Sequence, residues 1–156
     1  MLIVGCGCRG RALAAELRAD GHAVRGTSRA SGRLADIEAA GVEGVVADPD
    51  RLGTIMGQLA GVTAICWLMG SASGPTGADL HGPRLETLLE RLVDTPVRGI
   101  VYEAAGTVDP GLLASGAAAV RAAAERWRMP GEVVEADPAD HAGWLAAMKA
   151  AVDRLL

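Results

Sequence analysis

The stretch Leu2-Ile3-Val4-Gly5-Cys6-Gly7-Cys8-Arg9-Gly10 decides the fold of this 156-residue chain. An apolar run typical of a buried strand leads into a glycine-rich turn, and helical apolar spacing begins at Arg9. A strand, a Gly-x-Gly-x-x-Gly turn and a helix in this order are typical of a phosphate-binding unit. In such a unit Gly5 permits the tight turn, Gly7 lets the backbone approach a pyrophosphate, and Gly10 allows close packing of the helix on the strand.

This glycine-rich turn is the strongest functional signal in the chain. Backbone amides at the start of the following helix, together with the helix dipole, attract negative charge. The sequence therefore predicts a bound dinucleotide or a related phosphate ligand. The alternative is a fold that has kept the loop without the ligand. The predicted contact residues of the loop are Gly5, Gly7, Cys8, Arg9 and Gly10.

Outside the loop, strand-like and helix-like stretches alternate six times along the chain. The predicted strands are residues 2–5, 23–26, 44–47, 63–69, 98–103 and 132–135. The predicted helices are residues 9–20, 31–40, 49–60, 83–93, 110–128 and 138–155. Three Asp-Pro pairs mark helix starts, because aspartate caps orphan amides and proline fits the first turn. These pairs are Asp48-Pro49, Asp109-Pro110 and Asp137-Pro138.

Six alternating units joined by right-handed crossovers predict an α/β fold, a three-layer doubly wound parallel sheet with helices on both faces. Ligands of such sheets bind at the carboxyl ends of the strands. A hydrophobic content of 50% with 3% aromatic residues suits strands buried on both faces. The length predicts a single domain over residues 1–156.

Composition and charge exclude several classes of function. A net charge of −4 and a pI of about 5.3 argue against nucleic-acid binding. The longest apolar run, residues 64–69, is far shorter than the roughly 20 residues of a membrane-spanning helix. The N-terminus has no basic leader, and three cysteines do not form a secreted disulfide framework. We therefore expect a cytoplasmic protein. Scattered histidines and the lack of a second cysteine pair predict no metal site.

The end of the second predicted strand indicates which dinucleotide is bound. An NAD site usually has Asp or Glu there to bond the ribose hydroxyls. This chain has Thr27, Ser28 and Arg29 instead, two hydroxyls and a guanidinium where a 2′-phosphate would lie. The sequence therefore favours NADP(H) over NAD(H). In the alternative interpretation Arg29 is solvated and Ser28 or Ser31 caps the next helix.

Three segments together resemble the short-chain dehydrogenase/reductase superfamily, in its extended and atypical branches. They are LIVGCGCRGRALAAELRADGHAVRGTSR (residues 2–29), VVADPD (45–50) and GIVYEAAGTV (99–108). The resemblance implies an NAD(P)-binding Rossmann fold. It also implies that Asp48 contacts the adenine and that Leu68, Met69 and Gly70 run along the cofactor.

The chain departs from the catalytic pattern of that superfamily. Catalysis there rests on Tyr-x-x-x-Lys, but the one tyrosine, Tyr102, is followed four residues later by Gly106, and the one lysine is Lys149. We also expect no counterpart of the family's C-terminal substrate region after Leu156. We therefore expect an NADP(H)-binding protein without the usual catalysis, acting as a cofactor-responsive sensor or subunit. The alternatives are a small NADPH-dependent reductase of a flavin-like or quinone-like acceptor and a structural or interaction subunit.

A few further residues are candidates for chemistry, each with a structural alternative. Asp79, His81 and Glu103 are possible proton donors near strand ends, although isolated polar residues in loops are usually solvated. Cys6 and Cys8 lie near a predicted helix start, a position typical of reactive thiols, but small-residue packing explains them as well.

A loop and three large side chains on helices complete the predictions. The small-residue loop at residues 70–77 is either a mobile lip of the ligand site or a plain connection. Trp127, Trp144 and Met148 lie on predicted helices, where packing or a homo-oligomer contact is the default interpretation. A protein partner or a small-molecule acceptor is compatible with the sequence, which identifies neither.

Overall fold

Six parallel strands form one sheet in the computed structural model, which describes residues 1–72 and 77–156. The strand order is β3-β2-β1-β4-β5-β6, and every neighbouring pair is parallel. This is the doubly wound α/β fold that the alternating pattern predicts. The strands are β1 (Leu2–Val4), β2 (Arg25–Ser28), β3 (Glu43–Val46), β4 (Ala64–Trp67), β5 (Gly99–Glu103) and β6 (Gly131–Val134).

Helices connect successive strands and cover the sheet. Two short 3-10 turns precede α2 and α4. The helices are α1 (Cys8–Ala19), α2 (Leu34–Ala39), α3 (Leu52–Met56), α4 (Pro83–Leu92), α5 (Pro110–Trp127) and α6 (His141–Leu155), and the 3-10 turns are Ser31–Arg33 and Asp79–His81.

The sheet reverses its direction of growth between β1 and β4. From β1 the chain adds β2 and then β3 on one side, whereas β4, β5 and β6 follow on the other side. Connections that leave β1 and β4 therefore diverge, and they open a crevice at the carboxyl ends of these strands. The glycine-rich loop joins β1 to α1 at this point.

Several element boundaries differ from the sequence-based predictions. Strand β2 begins at Arg25, two residues later than predicted, because its pairing with β1 begins there. Since β2 is largely covered on both faces, no polar alternation in the sequence fixes its ends. Helix α3 begins only at Leu52, because Asp48 does not cap it, and it ends at Met56. The Asp48 carboxylate instead accepts a hydrogen bond from the Asp50 amide in a local turn.

The other two Asp-Pro pairs have different outcomes. The Asp109 carboxylate accepts hydrogen bonds from the amides of Gly111 and Leu112, so the predicted cap of α5 is confirmed. Asp137 does not begin a helix, and its carboxylate accepts the Ala139 amide within a loop. The cap of α6 is Asp140, three residues later.

Apolar side chains pack on both faces of the sheet. One cluster joins α4 and α5 to the sheet around Trp67 and Tyr102. The other joins α1 and α6 to the opposite face and contains Trp144 and Met148, which are fully buried. Packing within the domain therefore accounts for Trp144 and Met148, and Trp127 lies partly buried against the first cluster. Among the described residues, no helix has both the length and the apolar character needed to cross a membrane.

Candidate functional site

A cavity of about 510 Å³ lies at the carboxyl ends of the strands, in the crevice between the two halves of the sheet. Its walls come from the loop after β1, the residues after β2 and the residues after β4. Most of the predicted contact residues line it, except Asp48 and Gly70. Those that do are Gly5, Gly7, Cys8, Arg9, Gly10, Thr27, Ser28, Arg29, Leu68 and Met69.

The glycines of the loop have distinct structural roles. Gly5 has a positive φ of 85°, and a Cβ there would lie 2.6 Å from the Leu68 carbonyl oxygen. At Gly10 a Cβ would lie 3.0 Å from the Gly5 carbonyl oxygen, so the predicted close packing of helix on strand is present. A Cβ at Gly7 would meet nothing within 4 Å. The loop therefore needs glycine at position 5 for its own shape, whereas at position 7 the missing side chain leaves open space in the cavity wall.

The start of α1 offers unpaired donors to this space. The first amides of an α-helix have no partner inside the helix, and here these belong to Cys8, Arg9 and Gly10. No side chain caps this helix, since Gly7 is the residue before it. Amide hydrogens and the positive end of the helix dipole together make this turn a binding point for an anion.

Strand β2 supports the loop from the side. The Gly5 amide donates to the Thr27 hydroxyl at 3.2 Å, and the Cys6 amide donates to the Thr27 carbonyl at 3.1 Å. The Cys6 side chain is buried against Gly26, and burial raises the pKa of its thiol to about 11. Small-residue packing thus explains Cys6, while Cys8 is exposed and lines the cavity.

The last residue of β2 and the residues that follow it form the cationic end of the cavity. The Ser28 hydroxyl bonds to the amide and carbonyl of Ala30, and neither Ser28 nor Ser31 caps α2, so the capping alternative is wrong. The Arg29 side chain is 60% exposed, with a guanidinium nitrogen 3.9 Å from an Asp50 carboxylate oxygen. Arg33 also lines this end.

Glu103 lies at the opposite end of the cavity, at the end of β5, and is only 1% exposed. Its carboxylate accepts hydrogen bonds from the Gly70 amide at 2.9 Å and the Trp144 indole at 3.0 Å, and it pairs with Arg9 at 3.4 Å. Burial raises the pKa of Glu103, while these donors act in the opposite direction. The expectation that Glu103 is solvated is wrong. The sequence signal was a charged residue ending a buried apolar strand.

His81 is also buried, so the interpretation of a solvated loop histidine is wrong. Its ring nitrogens lie 2.6 Å from the Tyr102 hydroxyl and 3.1 Å from the Met69 carbonyl oxygen. The Tyr102 hydroxyl also contacts the Leu113 carbonyl oxygen at 3.3 Å. Burial lowers the pKa of His81 and raises that of Tyr102. The pair therefore lies in the core beneath the cavity wall that Met69 forms.

The remaining candidates lie away from the cavity. Lys149 forms ion pairs with Asp20 and Asp153 on the surface, whereas Tyr102 is buried. Asp79 is exposed in the 3-10 turn before α4. Of the predicted lip at residues 70–77, Ser71 and Ala72 line the cavity, and residues 73–76 lie outside the described residues.

Two predicted cofactor contacts do not line the cavity. The neighbours of Asp48 in the chain, Ala47 and Pro49, line it instead. A Cβ at Gly70 would lie only 2.1 Å from the Ala105 carbonyl oxygen, so this glycine lets two loops meet. No group of three or more histidine, cysteine or carboxylate side chains is placed to hold a metal within residues 1–72 and 77–156.

Comparisons with known proteins concern the fold. No protein-family model and no curated protein sequence matches the chain. Among solved structures, it resembles the Citrobacter sp. triphenylmethane reductase complexed with NADP(H), with a TM-score of 0.66 and 18% identity over 86% of this chain and 48% of that one. A Bacillus halodurans protein assigned as an NAD-dependent epimerase/dehydratase gives a TM-score of 0.68 and 20% identity, over 87% and 69%. The chain has a Rossmann fold.

A third match leads to the same conclusion. UDP-glucose 4-epimerase from Thermotoga maritima, solved with UDP-glucose, gives a TM-score of 0.67 and 10% identity over 86% of this chain and 54% of that one. The chain spans about half the length of the reductase and of this epimerase. At such identities the likeness extends to the fold, and function has to be argued from the site.

Proposed function

We propose that this Rossmann domain binds NADP(H) in the cavity at the switch point of its sheet. The observation that carries the proposal is the open space at Gly7, which adjoins the unpaired amides at the start of α1. A diphosphate placed there would be held by backbone amides and the helix dipole. Two of the similar structures bear on the ligand class, since one is described as complexed with NADP(H) and another with NAD.

The charges of the cavity support NADP(H) over NAD(H). Arg29 and Arg33 line the end next to β2, where the adenosine ribose of a dinucleotide lies in this fold. Of the described lining residues, the only carboxylate is Glu103, at the opposite end. A 2′-phosphate at the β2 end would therefore meet two guanidinium groups, one of which also pairs with the Asp50 carboxylate at 3.9 Å.

The site supports a role as a cofactor-responsive sensor or subunit without the family's tyrosine-dependent catalysis. The Tyr102 hydroxyl is sealed in the core by His81 and the Leu113 carbonyl, so it does not line the cavity. A ligand changes the state of a protein only through its different affinity for two states. The sensor role thus requires that NADP⁺ and NADPH differ in affinity or in their effect on assembly.

Thermal unfolding with NADPH, NADP⁺, NADH and NAD⁺ tests the proposed ligand. We expect stabilisation by the two phosphorylated forms and little by the other two. No stabilisation by any of the four would remove the proposal and leave a structural or interaction subunit as the leading function. Titration of NADP⁺ and NADPH with a parallel measurement of oligomeric state tests the sensor role, which equal affinities and unchanged assembly would contradict.

A small NADPH-dependent reductase is the second candidate function. Beyond the glycine loop the cavity continues along apolar side chains, namely Met69, Ala72 and Leu80. Such a wall suits a flat flavin-like or quinone-like acceptor that takes a hydride without a tyrosine proton donor. Purified protein would then oxidise NADPH in the presence of such acceptors. Absence of turnover across a broad acceptor panel would contradict this candidate without affecting nucleotide binding.

A further inference from the structure

An ion pair spans the end of the cavity that lies opposite Arg29. Glu103 ends β5, and Arg9 projects toward it from the first turn of α1, with a guanidinium nitrogen 3.4 Å from the carboxylate. Both side chains line the cavity. Because β4 lies between β1 and β5 in the sheet, the arginine reaches across the end of β4 to make this contact.

The carboxylate of Glu103 is fixed from three directions. One oxygen accepts the Gly70 amide at 2.9 Å, and the other accepts the Trp144 indole at 3.0 Å in addition to Arg9. Trp144 is fully buried in α6, and Gly70 packs so closely on the Ala105 carbonyl that it leaves no room for a side chain. The Glu103 carboxylate oxygen that accepts from Arg9 therefore has a fixed position.

Within residues 1–72 and 77–156, only the Nη2 atom of the Arg9 guanidinium makes hydrogen bonds. Its Nη2 donates to Glu103 and, at 3.0 Å, to the Ser71 hydroxyl, and the guanidinium carbon lies 5.6 Å from the centre of the Trp144 ring. Nε is buried without a hydrogen-bond partner in the part of the chain that the structure describes. A guanidinium carries five N–H donors, so donors remain for a ligand after Nη2 is anchored.

We propose that Glu103 is a positioning residue that holds the Arg9 guanidinium for the diphosphate of the bound nucleotide. This inference rests on the NADP(H) function proposed above. Arg9 follows Gly7 by two residues, so its side chain leaves the backbone beside the space assigned to the diphosphate. A guanidinium suits phosphate oxygens, and ordering this flexible side chain before binding lowers the entropic cost of the contact.

The test measures affinities of variants for NADP⁺, NAD⁺ and 2′-AMP, which has no diphosphate. We expect Glu103→Gln to weaken NADP⁺ and NAD⁺ by the same factor, about 3- to 10-fold, because the arginine must then be ordered on binding. Its affinity for 2′-AMP should be unchanged. Arg9→Ala should weaken both dinucleotides by about 10-fold or more through loss of a charged hydrogen bond. Adding Glu103→Gln to Arg9→Ala should cause no further loss.

Two other variants provide a control and a substitute for Glu103→Gln. Glu135→Gln removes the carboxylate of an exposed ion pair with Arg121 and should leave all three affinities unchanged. Ser71→Ala removes the second anchor of Arg9 and leaves Glu103 in place. If Glu103→Gln fails to fold, Ser71→Ala carries the test, with an equal loss of affinity for both dinucleotides and none for 2′-AMP.

Three results would overturn the inference while wild-type binding stands. They are tighter dinucleotide binding by Glu103→Gln, an equal loss of 2′-AMP affinity, and a further loss on the Arg9→Ala background. The first would mean that Glu103 withholds Arg9 from the ligand, the second that its role is general stability, and the third that it contacts the ligand directly. Wild-type protein that binds neither dinucleotide would instead overturn the proposed function, and this inference with it.

Discussion

Charged side chains at the two ends of the cavity differ in how firmly they are held. Arg29 is mostly exposed and its ion pair with Asp50 is long, whereas Arg9 is anchored by buried Glu103 and by Ser71. In the proposed complex, Arg29 would contact the 2′-phosphate, which only NADP(H) carries. Arg9 would contact the diphosphate, which NADP(H) and NAD(H) share. The two arginines therefore have separate, testable effects.

Arg29→Ala should weaken NADPH by about 10-fold and leave NADH affinity almost unchanged, because only NADPH has the 2′-phosphate. Titration calorimetry at fixed ionic strength measures both affinities. Arg121→Ala is the matched control, since Arg121 is an exposed arginine in an ion pair remote from the cavity. Equal loss of NADPH and NADH affinity in Arg29→Ala would contradict the assigned role.

His81 should make the protein less stable in mild acid. Burial lowers its pKa in the folded state, so below about pH 6.5 the unfolded chain binds a proton that the folded chain resists. The contribution of His81 is thus complete above the unfolded pKa and is lost as the pH falls through and below it, by at most about 1.4 kcal/mol per pH unit. Urea unfolding between pH 5.5 and 7.5 measures this slope.

His81→Gln should remove that part of the slope while lowering stability at pH 7.5, where it breaks the contacts with Tyr102 and Met69. His141→Gln is the control, because His141 is exposed at the start of α6. A slope that persists in His81→Gln would assign the acid sensitivity to other groups.

At the scale of elements, substitutions in the strand-loop-helix unit at the N-terminus distinguish effects on stability from effects on ligand binding. Gly7→Ala should change the free energy of unfolding by less than about 0.5 kcal/mol, because the new methyl meets nothing within 4 Å. It should nevertheless abolish stabilisation by dinucleotides, since the methyl enters the space for the diphosphate. Gly10→Ala should cost about 1–3 kcal/mol because its methyl would press on the Gly5 carbonyl. Undiminished NADPH binding by Gly7→Ala would place the ligand elsewhere.

The caps of the helices give a second comparison at this scale. Asp109→Ala should destabilise the protein by about 0.5–2 kcal/mol, because two amides at the start of α5 lose their acceptor. Asp137→Ala should cost less, since Asp137 accepts one amide in a loop and begins no helix. Chemical denaturation of the two variants checks the order, and a larger cost for Asp137→Ala would contradict the assignment of caps.

At the scale of the whole molecule, the cavity draws its walls from both halves of the sheet. Ligand binding should therefore stabilise the whole folded chain against cooperative unfolding. At a concentration of NADPH about 100 times its Kd we expect about 2.7 kcal/mol of stabilisation, or about 5–10 °C in Tm. Differential scanning fluorimetry measures it, and Gly7→Ala serves as a folded variant that should show no shift.

Much of this architecture follows from local sequence. The alternation of apolar runs and helical periods predicts six strands that alternate with helices along the chain. Each strand-helix unit has its own apolar pattern and turn residues. Gly5 and Gly10 are predictable because backbone geometry at such a turn excludes a side chain. The Asp109 cap is predictable because it depends only on residues within three positions in the chain.

Local sequence failed where competing contacts decide the outcome. Asp48 and Asp137 have the same Asp-Pro signal as Asp109, yet their carboxylates accept amides in turns that lie outside any helix. The ends of β2 are set by its pairing with β1, which lies more than twenty residues away in the chain. These features depend on packing rather than on residue type.

The sequence by itself determined the fold class, the position of the glycine loop and the cationic residues after β2, because all three depend on short-range patterns. Only the tertiary structure decided that Glu103 and His81 are buried and which groups they contact. Glu103 meets Arg9 across 94 positions and Trp144 across 41, and His81 meets Tyr102 across 21. No periodicity encodes such pairs, since they form only when the sheet brings the carboxyl ends of its strands together.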